Sequence, residues 1–149
     1  MQSLLQDLEE HVNTNGCLRG ATDIVRNFDI KSHDLQKYMI FNDDKYTRNI
    51  VCESEKILIL IICWKAGQGS PIHNHPAQGC IMRMLHGSLH ESQFDLESLE
   101  SLSETIHTEG NVSYIDDQTA YHKIENNTDT PAVSLHCYSP REFTPTIFS

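Results

Sequence analysis

The sequence lacks both a long apolar run and a cluster of basic residues. Its longest apolar run covers residues 57–64, far short of the about 20 residues that a membrane-spanning helix needs. The first residues, MQSLLQDLEEHV, are acidic and amphipathic, without the basic start and apolar stretch of a signal peptide. We therefore expect a cytoplasmic protein that does not enter a membrane.

Positive charge is also scarce. The formal net charge is −10, and no part of the chain concentrates Lys or Arg. Nucleic acids and anionic membranes need a basic surface, so neither is an expected partner. A small anionic substrate remains compatible with the sequence if one local cation receives it. The acidic surface, without a large exposed apolar run, also predicts a monomer.

The cysteines do not form a disulfide pattern. There are five of them, an odd number, and no pair has the C-x-x-C spacing. In a chain without a signal sequence we expect free thiols.

The pattern of the chain changes near residue 45. Apolar residues at helical spacing predict a helix over 3–13, a second near 22–28 and a third from residue 32. Residues 57–64 are β-branched and apolar on both faces, which is typical of a strand buried on two sides. Short strands separated by Asn, Asp, Gly and Pro follow. We predict a mainly β barrel or sandwich, one domain over 1–149, with the helical segment 1–44 packed on the barrel.

Two histidines separated by one residue, His73 and His75, point to the same face if they lie on a strand. Such a pair suits a metal, because imidazole is the commonest protein ligand, although isolated His-x-His pairs are frequent on surfaces. Gly67 precedes the pair, Gly87 follows it, and His122 stands in a separate strand. This spacing resembles the cupin superfamily, which implies a β-barrel of the jelly-roll type.

The resemblance to cupins departs from the usual motifs at two positions. Asp117 stands where the second motif usually has a proline, and Cys80 occupies the place of the acidic ligand in the first. Three neutral imidazoles leave a divalent metal with its whole positive charge, unlike two His and a carboxylate. An iron with open positions would accept a thiolate and dioxygen, whereas zinc could not transfer electrons. We therefore expect Fe(II) on His73, His75 and His122.

The strand AVSLHCY places Ser134, His136 and Tyr138 on one face. If that face is internal, the three side chains need polar partners, and a relay from Ser134 through His136 to the Tyr138 hydroxyl would satisfy them. If the face meets water, the strand is an ordinary amphipathic one. The pattern alone leaves both interpretations open.

Residues 44–140 resemble the cysteine dioxygenases. The segments that carry the resemblance are KYTRN (45–49), CWKAGQGSPIHNHPAQGC (63–80), LHGSLHES (85–92), HKIEN (122–126) and TPAVSLHCYSP (130–140). The resemblance implies a thioether cross-link between Cys80 and Tyr138 beside the metal. It also implies that Arg48 receives the substrate carboxylate with help from the Tyr46 hydroxyl. A guanidinium suits this role, because it can bind a carboxylate through two parallel hydrogen bonds.

The same resemblance implies a reaction. Both atoms of O2 would be added to the sulfur of L-cysteine on Fe(II), giving cysteine sulfinic acid, a step of sulfur amino-acid catabolism and taurine biosynthesis. Cysteine would bind through its thiolate and amine, and Tyr138, positioned by His136, would donate a hydrogen bond in the site. The expected catalytic residues are therefore Tyr138, Cys80, His136 and Ser134.

Three alternatives remain. A three-His cupin could oxidise another small thiol, 3-mercaptopropionate or cysteamine, although relatives that use the former typically carry Gln and Gly in place of Arg48 and Cys80. The chain could instead be a non-catalytic cupin that binds a metal or small ligand, or an inactive shortened isoform. The last alternative arises because only REFTPTIFS follows Pro140, fewer residues than family members usually have. We expect this short tail to leave a sheet edge exposed.

Overall fold

The computed structural model describes residues 1–148, which contain two α-helices and ten β-strands. The helices are α1 (Gln2–Asn15) and α2 (Thr22–Asn27), and two 3₁₀ turns follow at Ile30–Ser32 and Gln36–Tyr38. The strands are β1 (Thr47–Glu53), β2 (Leu58–Trp64), β3 (Ile72–His73), β4 (Cys80–His86), β5 (Leu89–Phe94), β6 (Ser101–His107), β7 (Val112–Ile115), β8 (Tyr121–Glu125), β9 (Ala132–Tyr138) and β10 (Ile147–Phe148). The mainly β class expected from the sequence is confirmed.

The strands form two five-stranded sheets. The first has the order β1-β2-β9-β4-β7, and the second has the order β10-β3-β8-β5-β6. Every strand pair is antiparallel. Apart from the β1–β2 and β5–β6 pairs, neighbouring strands are not consecutive in sequence, as in β2 beside β9, so the fold brings together side chains from distant parts of the chain.

Strand β2 explains why residues 57–64 are apolar on both faces. Leu60, Ile62 and Trp64 point between the sheets, in a cluster with residues of β4, β5 and β8. Ile59 and Ile61 point the other way, into a cluster with the helices. Since both faces of the strand are covered, neither could carry polar side chains without a partner.

Helix α1 packs one apolar side against the first sheet. Leu4, Leu5, Leu8 and Val12 are all buried, and each contributes about 1.5–3 kcal/mol if fully removed from water. The helix ends at Gly16, whose φ of 82° is the left-handed conformation that glycine adopts at low cost. Within residues 1–148, no helix combines the length and apolar character needed to cross a membrane.

The third helix expected from residue 32 is absent from the described structure, which has the two 3₁₀ turns there instead. The side chains of Asp29 and Asp34 accept hydrogen bonds from the backbone N–H groups of Lys31 and Gln36, two residues further on. Such local side-chain bonds compete with helical ones. Leu35 is nevertheless buried. The apolar pattern therefore predicted its burial correctly, and the prediction of an α-helix was wrong.

Gly79 fixes the approach to strand β4. Its φ is +94°, and a side chain at this position would overlap the Tyr114 ring. The Tyr114 hydroxyl donates a hydrogen bond of 2.7 Å to Asp116, so the ring is held against the glycine. The turn is therefore closely packed immediately before Cys80.

The C-terminal segment returns to the second sheet. In β10, Ile147 lies opposite His73, and Phe148 lies opposite Ile72. The Phe148 ring also stacks on Tyr121 of β8, with 4.3 Å between ring centres. The short tail was expected to leave a sheet edge exposed, and in the structure Ile147 and Phe148 cover the edge of β3.

Candidate metal centre

Three imidazoles meet at one end of the second sheet. His73 is the last residue of β3 and lies directly opposite His122 of β8. The sequence pattern suggested that His73 and His75 lie on one strand. In the structure His75 lies beyond the end of β3. The ligand atoms of the three side chains nevertheless all lie within 4.8 Å of one another.

The Nδ1 atom of each imidazole is already bonded within the protein. The acceptors are the Pro71 carbonyl for His73 (2.9 Å), an Asp117 carboxylate oxygen for His75 (3.2 Å) and a Glu91 carboxylate oxygen for His122 (2.7 Å). Because a carbonyl and an ionised carboxylate only accept, each Nδ1 carries the proton. Each Nε2 therefore keeps a lone pair for a metal, the usual arrangement of metal-binding histidines.

Two observations fit a bound cation at this centre. The Nε2 atom of His75 is buried and has no hydrogen-bond partner within residues 1–148. The Nε2 atoms of His73 and His122 lie 3.1 Å apart, although neither carries a proton that it could donate to the other. A cation between these lone pairs removes their repulsion and satisfies the unpaired atom. The three histidines form a metal-binding site.

Burial keeps the imidazoles neutral. It lowers the pKa of His75 to about 2, assisted by the nearby His122 and His73, and it lowers the pKa of His73 to about 4, again with His122. A metal needs the unprotonated imidazole. Over the ordinary pH range, protons therefore compete little for these two ligands.

Two carboxylates stand behind the histidines instead of beside the metal position. Asp117 accepts from both the ring and the backbone N–H of His75, the latter at 2.7 Å. Glu91 is buried and accepts from His107 as well as His122. Burial alone would raise the pKa of the Glu91 carboxyl, but these two hydrogen bonds outweigh it and hold that pKa well below its usual range. No sequence motif pointed to these roles for Asp117, Glu91 and His107.

A cavity of about 70 Å³ adjoins the imidazoles. It brings together eight of the nine residues that the sequence analysis singled out, and Ser134 alone lies outside its wall. The eight that line it are Tyr46, Arg48, His73, His75, Cys80, His122, His136 and Tyr138. Phe143, Pro145 and Ile147 of the C-terminal segment also line the cavity, so the tail contributes to its shape.

Cys80 and Tyr138 are direct cross-strand partners in β4 and β9. Side chains at such positions start from β-carbons about 4.5–5.5 Å apart, and here they pack together in one buried cluster. Burial raises the pKa of the Cys80 thiol and of the Tyr138 phenol. Both groups are therefore protonated in the protein without a metal.

The face of β9 that carries Ser134 and His136 is internal, since both side chains are buried. The Trp64 indole N–H donates to the Ser134 hydroxyl at 3.0 Å, and that hydroxyl lies 2.7 Å from His136 Nε2. Because the hydroxyl accepts from Trp64, its own proton is free to go to His136. The His136 and Tyr138 rings are 5.9 Å apart between centres, and no hydrogen bond within residues 1–148 joins them. The observed chain runs from Trp64 through Ser134 to His136.

Arg48 is the one Lys or Arg among the described residues that line the cavity. It lies on β1, is exposed to solvent, and has its guanidinium carbon 5.7 Å from the centre of the Tyr138 ring. Tyr46 stacks on Trp64, with 4.6 Å between ring centres. The cavity thus has a three-imidazole group on one wall and a guanidinium on another.

The two sheets and the three-imidazole centre define a metal-binding protein of the cupin, or double-stranded β-helix, class. A Klebsiella pneumoniae protein with a double-stranded β-helix domain superposes with a TM-score of 0.66 at 14% identity, covering 78% of this chain and 96% of that one. A Thermus thermophilus protein gives 0.63 at 22% identity, covering 74% and 97%. At these identities the likeness concerns the fold alone.

Within this class, the chain belongs to the cysteine dioxygenase type I family, whose sequence profile matches residues 6–149. Cysteine dioxygenase type 1 of Bos taurus is 43% identical over 69% of this chain and 55% of that protein. The Danio rerio protein of the same name is 36% identical over 79% of this chain and 63% of that protein. The chain therefore spans 55–63% of the length of these relatives.

Proposed function

We propose that the chain is an Fe(II)-dependent dioxygenase that converts L-cysteine to cysteine sulfinic acid. The observation that carries this proposal is the cavity in which three neutral imidazoles share a wall with Cys80 and Tyr138 and Arg48 supplies the cation. Membership of the cysteine dioxygenase type I family supports the same reaction. A role in sulfur amino-acid catabolism and taurine formation follows from the product.

The proposed metal is iron, because the reaction needs electron transfer. When bound, Fe(II) supplies a redox-active centre for dioxygen and a positive charge that favours the cysteine thiolate. Three neutral ligands leave that charge whole, and the Glu91 and Asp117 carboxylates lie behind the imidazoles. Zinc fits three imidazoles but has no redox chemistry.

Arg48 is the proposed carboxylate receptor. No other Lys or Arg of the described residues lines the cavity, and a guanidinium binds a carboxylate through two parallel hydrogen bonds. The Tyr46 hydroxyl is proposed to assist. Cysteamine has no carboxylate and 3-mercaptopropionate has no amine, so neither satisfies both Arg48 and the metal as cysteine does.

The proposed roles of the remaining residues concern proton positions. Because His136 Nε2 accepts the Ser134 proton, the single N–H of the neutral His136 ring is on Nδ1. Burial lowers the pKa of His136 to about 3, so this imidazole stays neutral and fixed while the Tyr138 phenol keeps its proton to donate to the substrate. In the net reaction two S–O bonds form and the O–O bond breaks, so the four electrons lost by sulfur reduce one dioxygen.

The test of this function is anaerobic reconstitution of the chain with Fe(II), followed by cysteine and oxygenated buffer. We expect one sulfinate for each dioxygen consumed, and slower turnover of cysteamine and 3-mercaptopropionate at equal concentrations. Preference for either competitor would assign another thiol. Stoichiometric metal uptake without any sulfinate would favour a metal-binding cupin, and a chain that elutes as an expanded species on gel filtration would favour the inactive isoform.

The thioether between Cys80 and Tyr138 is a further part of the proposal. Forming the bond from Sγ to the phenol ring removes one hydrogen from each residue, and dioxygen accepts the two electrons and two protons. We expect a two-hydrogen mass deficit in the linked peptides after aerobic turnover. Cys80→Ser should abolish this deficit, while Cys63→Ser, at a buried cysteine outside the cavity wall, should retain it. A deficit that persists in Cys80→Ser would contradict the assignment.

The proposal also includes a cytoplasmic monomer. All five cysteines are free thiols, which suits a reducing compartment. Gel filtration with light scattering of the purified chain measures the oligomeric state.

A further inference from the structure

Strand β6 carries one buried residue in an otherwise exposed sequence. From Ser101 to Ile106 every residue is exposed, with Ile106 at 65%, whereas His107 is 5% exposed. An edge strand that meets solvent along its length has no packing reason to bury a polar ring at its end. A buried polar ring requires specific partners.

The partner of His107 is Glu91 on the neighbouring strand. His107 lies opposite Leu89 and Glu91 lies opposite Thr105, so His107 and Glu91 are diagonal neighbours on one face of the sheet, within reach of long side chains. His107 Nε2 donates to one Glu91 oxygen at 2.9 Å, and His122 Nδ1 donates to the other at 2.7 Å. The carboxylate is therefore held between the two rings.

This arrangement fixes the orientation of the Glu91 carboxylate, the position of the His122 proton and the position of the His122 lone pair. The carboxylate needs both donors, because a buried charge without hydrogen bonds is costly. With one oxygen occupied by His107, the other is oriented towards His122. That orientation sets the proton of His122 on Nδ1 and its lone pair on Nε2, which faces His73 and His75.

We propose that His107 is a positioning residue of the metal centre, acting through Glu91. The negative charge of Glu91 lies one hydrogen bond behind the neutral ligand His122. The hydrogen bond from His107 keeps the carboxylate in the orientation that His122 needs. The inference rests on the proposed use of this centre for a metal, and it is independent of which thiol is the substrate.

The test is a Co(II) titration of the full chain and its variants, followed through the visible bands of the bound ion. Glu91→Gln keeps the shape and removes the charge, so Co(II) affinity should fall about 10- to 100-fold, the usual effect of losing such a partner. His107→Leu removes the donor and should lower the affinity about tenfold or more. Both variants should shift the visible bands, because the carboxylate charge behind His122 is removed in Glu91→Gln and loses its fixed orientation in His107→Leu.

Matched controls separate positioning from general bracing of the sheet. His107→Gln restores an N–H donor and should recover most of the affinity lost in His107→Leu. His90→Gln and Glu125→Gln alter a histidine and a glutamate on β5 and β8 that do not line the cavity, and they should bind Co(II) like the parent. Thermal melts of the metal-free proteins measure how much each change costs the fold.

Two outcomes would overturn the inference. One is Co(II) affinity and bands in Glu91→Gln and His107→Leu that match the parent. The other is a loss of affinity that follows the melting temperature across all five variants, with no recovery in His107→Gln, which would make the pair a structural brace. A parent chain that binds Co(II) and responds as expected, yet forms no sulfinate with Fe(II), would refute the proposed function and leave the role of His107 intact.

Discussion

Replacing His73 with alanine is expected to reduce metal binding at least about 100-fold and sulfinate formation to background, since loss of a direct ligand exceeds the 10- to 100-fold effect of losing a partner behind one. His73 is the cleanest of the three ligands to remove. Its Nδ1 contacts only the Pro71 carbonyl, whereas removing His122 also leaves a buried carboxylate with one donor fewer. Metal content after dialysis and a sulfinate assay measure the two effects.

His86→Ala is the matched control for this experiment. His86 is an exposed histidine on β4 that does not line the cavity, so its removal should leave metal content and turnover unchanged. If His73→Ala retained stoichiometric iron and the parent rate, the three-imidazole centre would not be the site of the reaction.

Replacing Arg48 with glutamine is expected to raise the KM for cysteine much more than it lowers kcat. A charge-assisted hydrogen bond contributes about 1.5–3 kcal/mol, and at 1.4 kcal/mol for each factor of ten its loss corresponds to about a 10- to 150-fold change. The Arg48 side chain is exposed, so water compensates for part of the loss of the second hydrogen bond from the guanidinium to the carboxylate. The measurement is steady-state oxygen uptake over a range of cysteine concentrations.

Two comparisons sharpen the Arg48 result. Arg141→Gln changes an arginine that pairs with Glu53 and Glu142 away from the cavity, and it should leave the KM unaltered. Cysteamine, without a carboxylate, should lose little between the parent and Arg48→Gln. An equal KM for cysteine in both proteins would show that Arg48 does not hold the carboxylate.

The sequence predicted the elements whose pattern is local. The apolar, β-branched run over 57–64 and the alternation in AVSLHCY located β2 and β9 closely, because burial on one or two faces repeats along a strand. The metal centre was predicted from the spacing of His73, His75 and His122, which resembles the cupin motifs, and not from strand alternation, since His75 lies beyond the end of β3. The third helix was wrong, since two aspartates redirect the backbone there and apolar spacing does not register such bonds.

The parts that the sequence did not predict depend on register between distant strands. Glu91 lies 31 residues from His122, and only the pairing of β5 with β6 and β8 shows that it bridges two imidazoles. Trp64 reaches Ser134 across 70 residues in a comparable way. A glutamate within LHESQF reads as an ordinary solvent-facing side chain until its strand neighbours are known.

The position of Trp64 has a practical consequence. It is the only tryptophan in the chain, and its indole both lines the cavity and hydrogen-bonds Ser134. Indole emission from the unlabelled protein therefore originates at a single place, within the wall that a bound thiol would contact. Quenching of the indole fluorescence by a paramagnetic ion, or a shift of its emission maximum when a ligand displaces water, can therefore be assigned to this cavity.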